Sequence, residues 1–222
     1  MKPIYAGFVG KGNCGKGTQA KILADKYNLQ IISTGSMLRE WILKDPNNFW
    51  SQKLKQDVDN GILVPSAIVF YLWFSKLLLL DYRQGVVFEG SPRMLIEGQA
   101  MAEVFKWMAN NQFFVFNLNI PDEESYTRSM NRRYCPVCHK TYSLAFNPGI
   151  THCQADNTEL IIRNDDNPEV IKHRIQEFNE LVIPTIEFLK SQGVLYEVNG
   201  VGPVEEIAKN IDKIIQEKIN QA

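Results

Sequence analysis

Gly10-Lys11-Gly12-Asn13-Cys14-Gly15-Lys16-Gly17-Thr18 follows an apolar run, Ile4 to Val9, and precedes a helical pattern, Gln19 to Tyr27. Strand, glycine loop, lysine and helix is a layout that cradles phosphate. Glycines let backbone N–H groups turn inward, the helix N-terminus carries positive partial charge, and Lys16 adds a point charge. Gly17 separates Lys16 from Thr18, whereas the strict pattern has Ser or Thr directly after the lysine. An ordinary strand-to-helix turn is the alternative; Gly10, Gly15 and Lys16 at that junction weigh against it.

Other residues suit the same chemistry. Glu89 ends an apolar strand opening at Gly85, where a carboxylate can reach a magnesium-bound water beside the phosphates; otherwise it only meets solvent. Gly90-Ser91-Pro92-Arg93 is a rigid turn presenting Arg93. Thr34-Gly35-Ser36 opens a helix with Ser36 as the expected N-cap and Arg39 in its first turn. Two arginines at loop-to-helix junctions suit a second phosphate held bidentately. Arg132, Arg133, Arg163 and Arg174 flank a cysteine segment. Singly each reads as a surface arginine; together they can neutralise charge around a transferring phosphoryl group.

Cys135-Pro136-Val137-Cys138 and Cys153-Gln154-Ala155-Asp156 share one spacing, which describes a tetrahedral zinc site of three thiolates and a carboxylate. His139 and His152 are rival fourth ligands, although each adjoins a cysteine ligand and would bind under strain. A redox Cys-x-x-Cys is the other reading, without a thioredoxin-like helix start to support it. The segment has too few apolar residues for a core, so a structural metal would supply its folding energy. Cys14 is placed at a helix N-terminus, where a thiolate is favoured; a small residue that merely fits is the simpler reading.

The elements that must position these residues alternate. Strands are expected near Ile4–Val9, Leu29–Ser33, Gly85–Gly90, Phe113–Ile120 and Val194–Val198. Helices are expected up to Asn60, from Pro65 or Ser66 to Leu80, from Gly98 to Asn110, from Pro121 to Arg133, from Asn167 to Gln192 with a kink at Pro184, and from Pro203 to Gln221. Alternation implies an α/β fold, a parallel sheet with helices on both faces and ligands beyond the carboxyl ends of its strands. The phosphate loop, Thr34-Gly35 and Glu89-Gly90 all follow strands, so they should meet in one crevice.

The 222 residues suffice for one large domain, or a core with a smaller insert. With 45% hydrophobic residues and a formal net charge of −1, no basic surplus recommends nucleic acid or a membrane surface as partner. The apolar stretch Ile68–Leu80 is too short to span a bilayer, and no signal-peptide core follows Met1. A cytoplasmic location is therefore expected, which makes disulfides among the four cysteines unexpected.

In combination these segments resemble the adenylate kinase family, over essentially the whole chain. Gly10 to Gln19 is similar to that family's own phosphate loop, including Gly17; Ser33 to Arg39 to its monophosphate-binding helices; Gly61-Ile62-Leu63-Val64 to the turn whose backbone faces the AMP base. Phe88 to Arg93, the Arg132-Arg133 pair, Phe146-Asn147-Pro148, Arg163-Asn164-Asp165-Asp166 and Arg174 resemble further signatures, and Cys135, Cys138, Cys153 and Asp156 match the zinc-bearing version of the lid. The resemblance implies a P-loop NTPase-type core (1–33, 65–132, 164–222), a helical monophosphate-binding insert (34–64) and a zinc-stabilised lid (133–163).

It further implies a monomer that transfers the γ-phosphoryl of Mg·ATP to AMP, giving two ADP. ATP would be held by Asn13, Cys14, Gly15, Lys16, Gly17, Thr18, Arg132, Thr141, Tyr142 and Gly202. AMP would meet Thr34, Gly35, Arg39, Ile62, Leu63, Val64, Gly90, Ser91, Pro92, Arg93, Glu97, Gln99, Arg163 and Arg174. Thr18 and Glu89 would face magnesium through water, and Lys16 with Arg39, Arg93, Arg132, Arg163 and Arg174 would carry the catalytic charge. The chain departs from the pattern at Gly12-Asn13 (usually Pro-Gly), at Ser36 and Glu89 (usually Asp), at Ser91 (usually aromatic) and at Glu97, where an adenine-reading glutamine is usual. Either Gln99 substitutes through a shifted loop, or Glu97, which when ionised only accepts, alters base choice toward another monophosphate such as GMP, UMP or CMP. A zinc-ribbon nucleic-acid binder and a phosphate-loop switch that binds without transfer are the remaining readings.

Overall fold

The computed structural model describes residues 3–81, 83–109 and 113–220. Five parallel strands form the central sheet: β1 (Tyr5–Val9), β2 (Gln30–Ser33), β3 (Val86–Glu89), β4 (Phe113–Asn119) and β7 (Leu195–Asn199), in the order β2-β3-β1-β4-β7. β5 (Arg132–Tyr134) and β6 (Thr141–Ser143) pair antiparallel in a separate hairpin. β4 is apolar on both faces because both faces are covered. Phe113 and Val115 join a cluster with Trp73, Met101, Phe105 and Leu189, whereas Phe114, Phe116 and Leu118 join Ala20, Leu23, Ile207, Ile211 and Ile215. β1, between β3 and β4, delivers the phosphate loop at the point where strand order reverses.

The helices are α1 (Lys16–Tyr27), α2 (Thr34–Lys44), α3 (Phe49–Asp59), α4 (Ser66–Leu77), α5 (Leu95–Ala109), α6 (Asp122–Met130), α7 (Pro168–Glu177), α8 (Ile183–Ser191) and α9 (Val204–Asn220). Several boundaries differ from the expectations. Ser33, not Ser36, caps α2: its extended backbone lets Oγ accept from Ser36 N, so Arg39 falls in the second turn. The helical stretch before Asn60 breaks at 45–48, where Asn48 Oδ1 accepts from Trp50 N at 2.8 Å and caps α3. α4 stops at Leu77, and α5 starts three residues early, with Glu97 in its first turn. α6 stops at Met130, releasing Arg132 and Arg133 into β5. The kink expected at Pro184 is spread over a π-helical turn, Phe178–Val182, between α7 and α8; proline has no N–H for the regular ladder. The expected helix ends at Asn110 and Gln221 lie outside the described residues.

Segment 34–64 has no separate core: Leu38, Ile42, Leu54 and Val64 belong to the cluster of Trp73 and Phe105. The hairpin segment differs, because its cluster holds Cys135, Tyr142, Cys153 and Leu160, with Cys138 and Ile150 packed on it. No helix among the described residues is long and apolar enough to cross a membrane. Phe105 is fully buried, its ring 4.6 Å from that of Phe113 and 5.3 Å from that of Phe88. Phe105→Ala is expected to lower unfolding free energy by about 4 kcal/mol, read from urea denaturation.

Candidate functional site

The phosphate loop's shape follows from its glycines. Gly10 has φ 140°, and a Cβ there would stand 2.6 Å from the Leu118 carbonyl oxygen and 2.7 Å from Cys14 Sγ. Gly15, at φ 103°, precedes α1 without a side-chain cap, so the first-turn N–H groups remain open to an anion. Lys16 Nζ lies across the loop, donating to the carbonyls of Gly10 at 2.7 Å and Lys11 at 2.6 Å, with Cys14 Sγ at 3.5 Å. Cys14 is buried. Lys11 Nζ donates to the Ile120 carbonyl and pairs with Asp122, tying the loop to α6.

The second group of predicted residues converges at the ends of β2 and β3. Register places Glu89 beside both Ser33 and Phe8. Its carboxylate accepts from Ser33 Oγ, and its carbonyl from Thr34 Oγ1. A Cβ on Gly90 would lie 3.5 Å from Thr34 Oγ1, 3.6 Å from Gly35 N and 3.7 Å from Arg93 Nη2. A Cβ on Gly35 would lie 3.4 Å from Arg39 Nη1. At Gly61, φ 75°, it would stand 3.0 Å from Arg174 Cγ, which places the 61–64 turn against α7; Leu63 N also donates to Glu177 at 3.4 Å.

Two buried aspartates organise the arginines between these places. Asp165 accepts from Arg163 Nε at 2.8 Å and pairs with Arg174 at 2.5 Å. Asp166 takes Arg132 through two nitrogens, Nε at 2.6 Å. Burial lowers the pKa of Arg39, Arg132 and Arg174, and the charge of Arg163 adds to the effect at each. Guanidinium nonetheless stays charged throughout the working range. Burial alone would raise the Asp165 carboxyl, but Arg174 and Arg163 outweigh it and hold it down at about 2.

Glu97 is 2% exposed. Its oxygens accept from Ser66 Oγ at 3.2 Å, Ser91 Oγ at 3.0 Å and Arg93 N at 2.8 Å. Gln99 is exposed on the same helix, roughly 200° round from Glu97. Thr141 is exposed on β6, while the Tyr142 hydroxyl turns inward to Cys153 Sγ at 3.2 Å. Gly202 follows β7; the neighbouring Val204 carbonyl accepts from Gln19 Nε2 on α1 at 3.0 Å.

Ligand atoms of Cys135, Cys138, Cys153 and Asp156 all lie within 4.8 Å of one another. Cys138 and Cys153 sulfurs are 3.4 Å apart, and Asp156 Oδ2 is 3.5 Å from Cys135 Sγ. Cys135, Cys138 and Cys153 are free thiols, as is Cys14. Thr158 donates its backbone N–H to Asp156 at 3.0 Å and holds that carboxyl well below the usual range. The rival histidines are engaged elsewhere, His139 Nδ1 with Tyr134 and His152 Nδ1 with Thr151.

A loop after β1, an arginine set held by two aspartates and a four-ligand hairpin are thus in place. The adenylate kinase family model matches residues 8–194. This chain belongs to the adenylate kinase family. It is 36% identical over 219 residues to an adenylate kinase of Lachnospira eligens, covering 97% of this chain and all of that one. A Mesomycoplasma hyopneumoniae adenylate kinase is 36% identical over 208 residues (93% and 95% covered), and one from Archaeoglobus fulgidus 33% over 211 (94% and 96%). Membership makes the chain a phosphotransferase of the nucleoside monophosphate kinase type.

Asp165 and Asp166 received no individual role from the sequence, and Ser125 and Ser129, buried on α6, gave no sign there. The only available signal was an acid pair two residues after Arg163. The depressed pKa of Asp165 makes a pH-dependent prediction. Its stabilising effect is complete above the unfolded carboxylate pKa, about 3.9, and is lost as pH falls toward about 2; the linked contribution is on the order of 2 kcal/mol. Asp165→Asn should lose at least that at neutral pH. The difference from wild type in urea unfolding should shrink between about pH 5 and pH 2; a pH-independent difference contradicts the assignment.

Proposed function

We propose that the protein transfers the γ-phosphoryl of Mg·ATP to AMP, reversibly giving two ADP. What supports this reading is a set of cations placed near the phosphate loop and near the ends of β2 and β3. Lys16 and Arg132 stand by the phosphate loop; Arg39, Arg93, Arg163 and Arg174 stand by Thr34, Gly35, Gly90 and the 61–64 turn. The acceptor phosphate is already a nucleophile, so these side chains need only align two polyanions and offset the charge that separates them. The backbone of the phosphate loop would hold the donor's β- and γ-oxygens. Arginine forks would hold the acceptor phosphate bidentately. Bound with ATP, Mg²⁺ would neutralise phosphoryl oxygens, with Thr18 and Glu89 as the residues facing it through water. Segment 133–163 would close as a lid and exclude water as a competing acceptor.

The hairpin fits a structural zinc. Tetrahedral bonds of about 2.3 Å to sulfur require sulfurs about 3.8 Å apart, and three thiols with one carboxylate suit that ion. With so small an apolar cluster, the segment would draw folding energy from the metal. A monomer in the cytoplasm with no nucleic-acid partner completes the reading; the near-neutral charge supports it.

One observation supports a second reading, a different or relaxed monophosphate. Gln99 faces away from Glu97 on a single helix, and Glu97 is taken up by Ser66, Ser91 and Arg93 N, so neither supplies a base-reading amide at the position where family members usually have one. A coupled assay across AMP, GMP, UMP and CMP decides between them: AMP is expected as best acceptor, and a better rival overturns the first reading. Lys16→Met should cut turnover at least about a hundredfold. Purified protein should carry about one zinc equivalent, lost in Cys138→Ser with a fall in melting temperature and kept in Asp156→Cys, as metal analysis would show.

A further inference from the structure

Asn13 sits at φ 56° in the phosphate loop. Left-handed backbone is costly for residues other than glycine, and least so for Asn and Asp. The Asn13 side chain reaches two places. Nδ2 donates to Ser129 Oγ at 2.7 Å, and Oδ1 accepts from Arg132 Nη1 at 3.0 Å. The amide orientation follows from its neighbours. Ser129 spends its hydroxyl hydrogen on the Ser125 carbonyl at 2.7 Å and so can only accept from Asn13, while guanidinium can only donate. Ser125 Oγ in turn donates to the Gly12 carbonyl at 2.8 Å. Loop and α6 are thus joined by a chain of satisfied hydrogen bonds.

Arg132 opens β5, where the chain leaves α6 for the cysteine hairpin. Asp166 takes its Nε and Nη2, and Asn13 takes Nη1. Three of the five N–H donors are engaged from two directions, which fixes the plane of the fork and leaves two donors for phosphoryl oxygens. Gly12, Asn13, Ser129, Arg132 and Arg174 line a cavity of about 30 Å³. That is room for one or two waters, so neither side chain can swing into it freely.

We propose that Asn13 is a positioning residue for phosphoryl transfer. Its backbone belongs to the phosphate loop, while its side chain acts through Arg132 and registers that guanidinium, with the first residue of the hairpin, against the loop. The proposal rests on the kinase reading above. Glycine at this position would permit the same backbone and remove the link.

Asn13→Gly therefore tests the link without straining the loop. Expected are a kcat about tenfold lower, a KM for ATP within twofold and an unchanged melting temperature. In the nucleotide-free protein, amide hydrogen exchange across 130–134 should be several-fold faster. Ser129→Ala, which frees the amide to turn, should give an intermediate loss of about threefold. In an Arg132→Lys background Asn13→Gly should cost less than twofold, because its partner fork is already gone. Asn13→Gly turnover within twofold of wild type, unchanged exchange at 130–134, or a full tenfold loss persisting with Arg132→Lys overturns the proposal alone. Absence of wild-type turnover with every monophosphate overturns it together with the kinase reading.

Discussion

Concentrating like charge in one cluster is the constraint that the rest of the structure serves. Burial depresses the basicity of Arg132 and Arg174, and the nearby charge of Arg163 lowers both further. Unpaired, such a group would expand or draw in water. Asp165 and Asp166, both almost fully buried, hold them together: Arg132 and Arg163 each through two nitrogens, and Arg174 through an ion pair with Asp165. The aspartates do not cancel the site, because each arginine keeps donors to spare. What results is a set of preorganised cations whose orientation is settled before any anion arrives, the condition under which electrostatic stabilisation is strongest.

The sheet explains why this cluster faces a phosphate loop. Parallel strands deliver β1, β2 and β3 to one edge, so the loop after β1, Thr34 after β2 and Gly90 after β3 meet there. Two largely apolar faces of the sheet, each under its own helical layer, back that edge with close packing. The hairpin is built on a different principle. It has few aliphatic side chains and four potential ligands, so its order depends on local chemistry rather than on burial. Core and hairpin are thus organised by separate clusters.

Much of the fold was legible because its signals are local. Alternating apolar runs and capping residues gave the strands, and the sheet arrangement followed from their alternation with helices. Errors fell where two local signals competed. Ser33 and Ser36 are both capping residues, and only the extended backbone at Ser33 selects it. Met94 and Leu95 carry no helix-start signal, so the early onset of α5 was not readable, although that onset turns Glu97 inward and Gln99 outward. A proline in a long helical pattern announced a distortion but not its form, a π-turn.

The sequence by itself determined the chemistry on offer: a phosphate loop from glycine spacing, a set of arginines, and a four-ligand cluster from two matching knuckles. Those follow from residue type and short separations. Only the tertiary structure decided which acid holds which arginine, that Glu97 is consumed by Ser66, Ser91 and Arg93, and that Asn13 spans from the loop to Ser129 and Arg132. Asn13 and Arg132 stand 119 residues apart in the chain. No periodicity carries information over that separation; the pairing exists only once packing has closed the intervening chain and brought both groups to the same edge of the sheet.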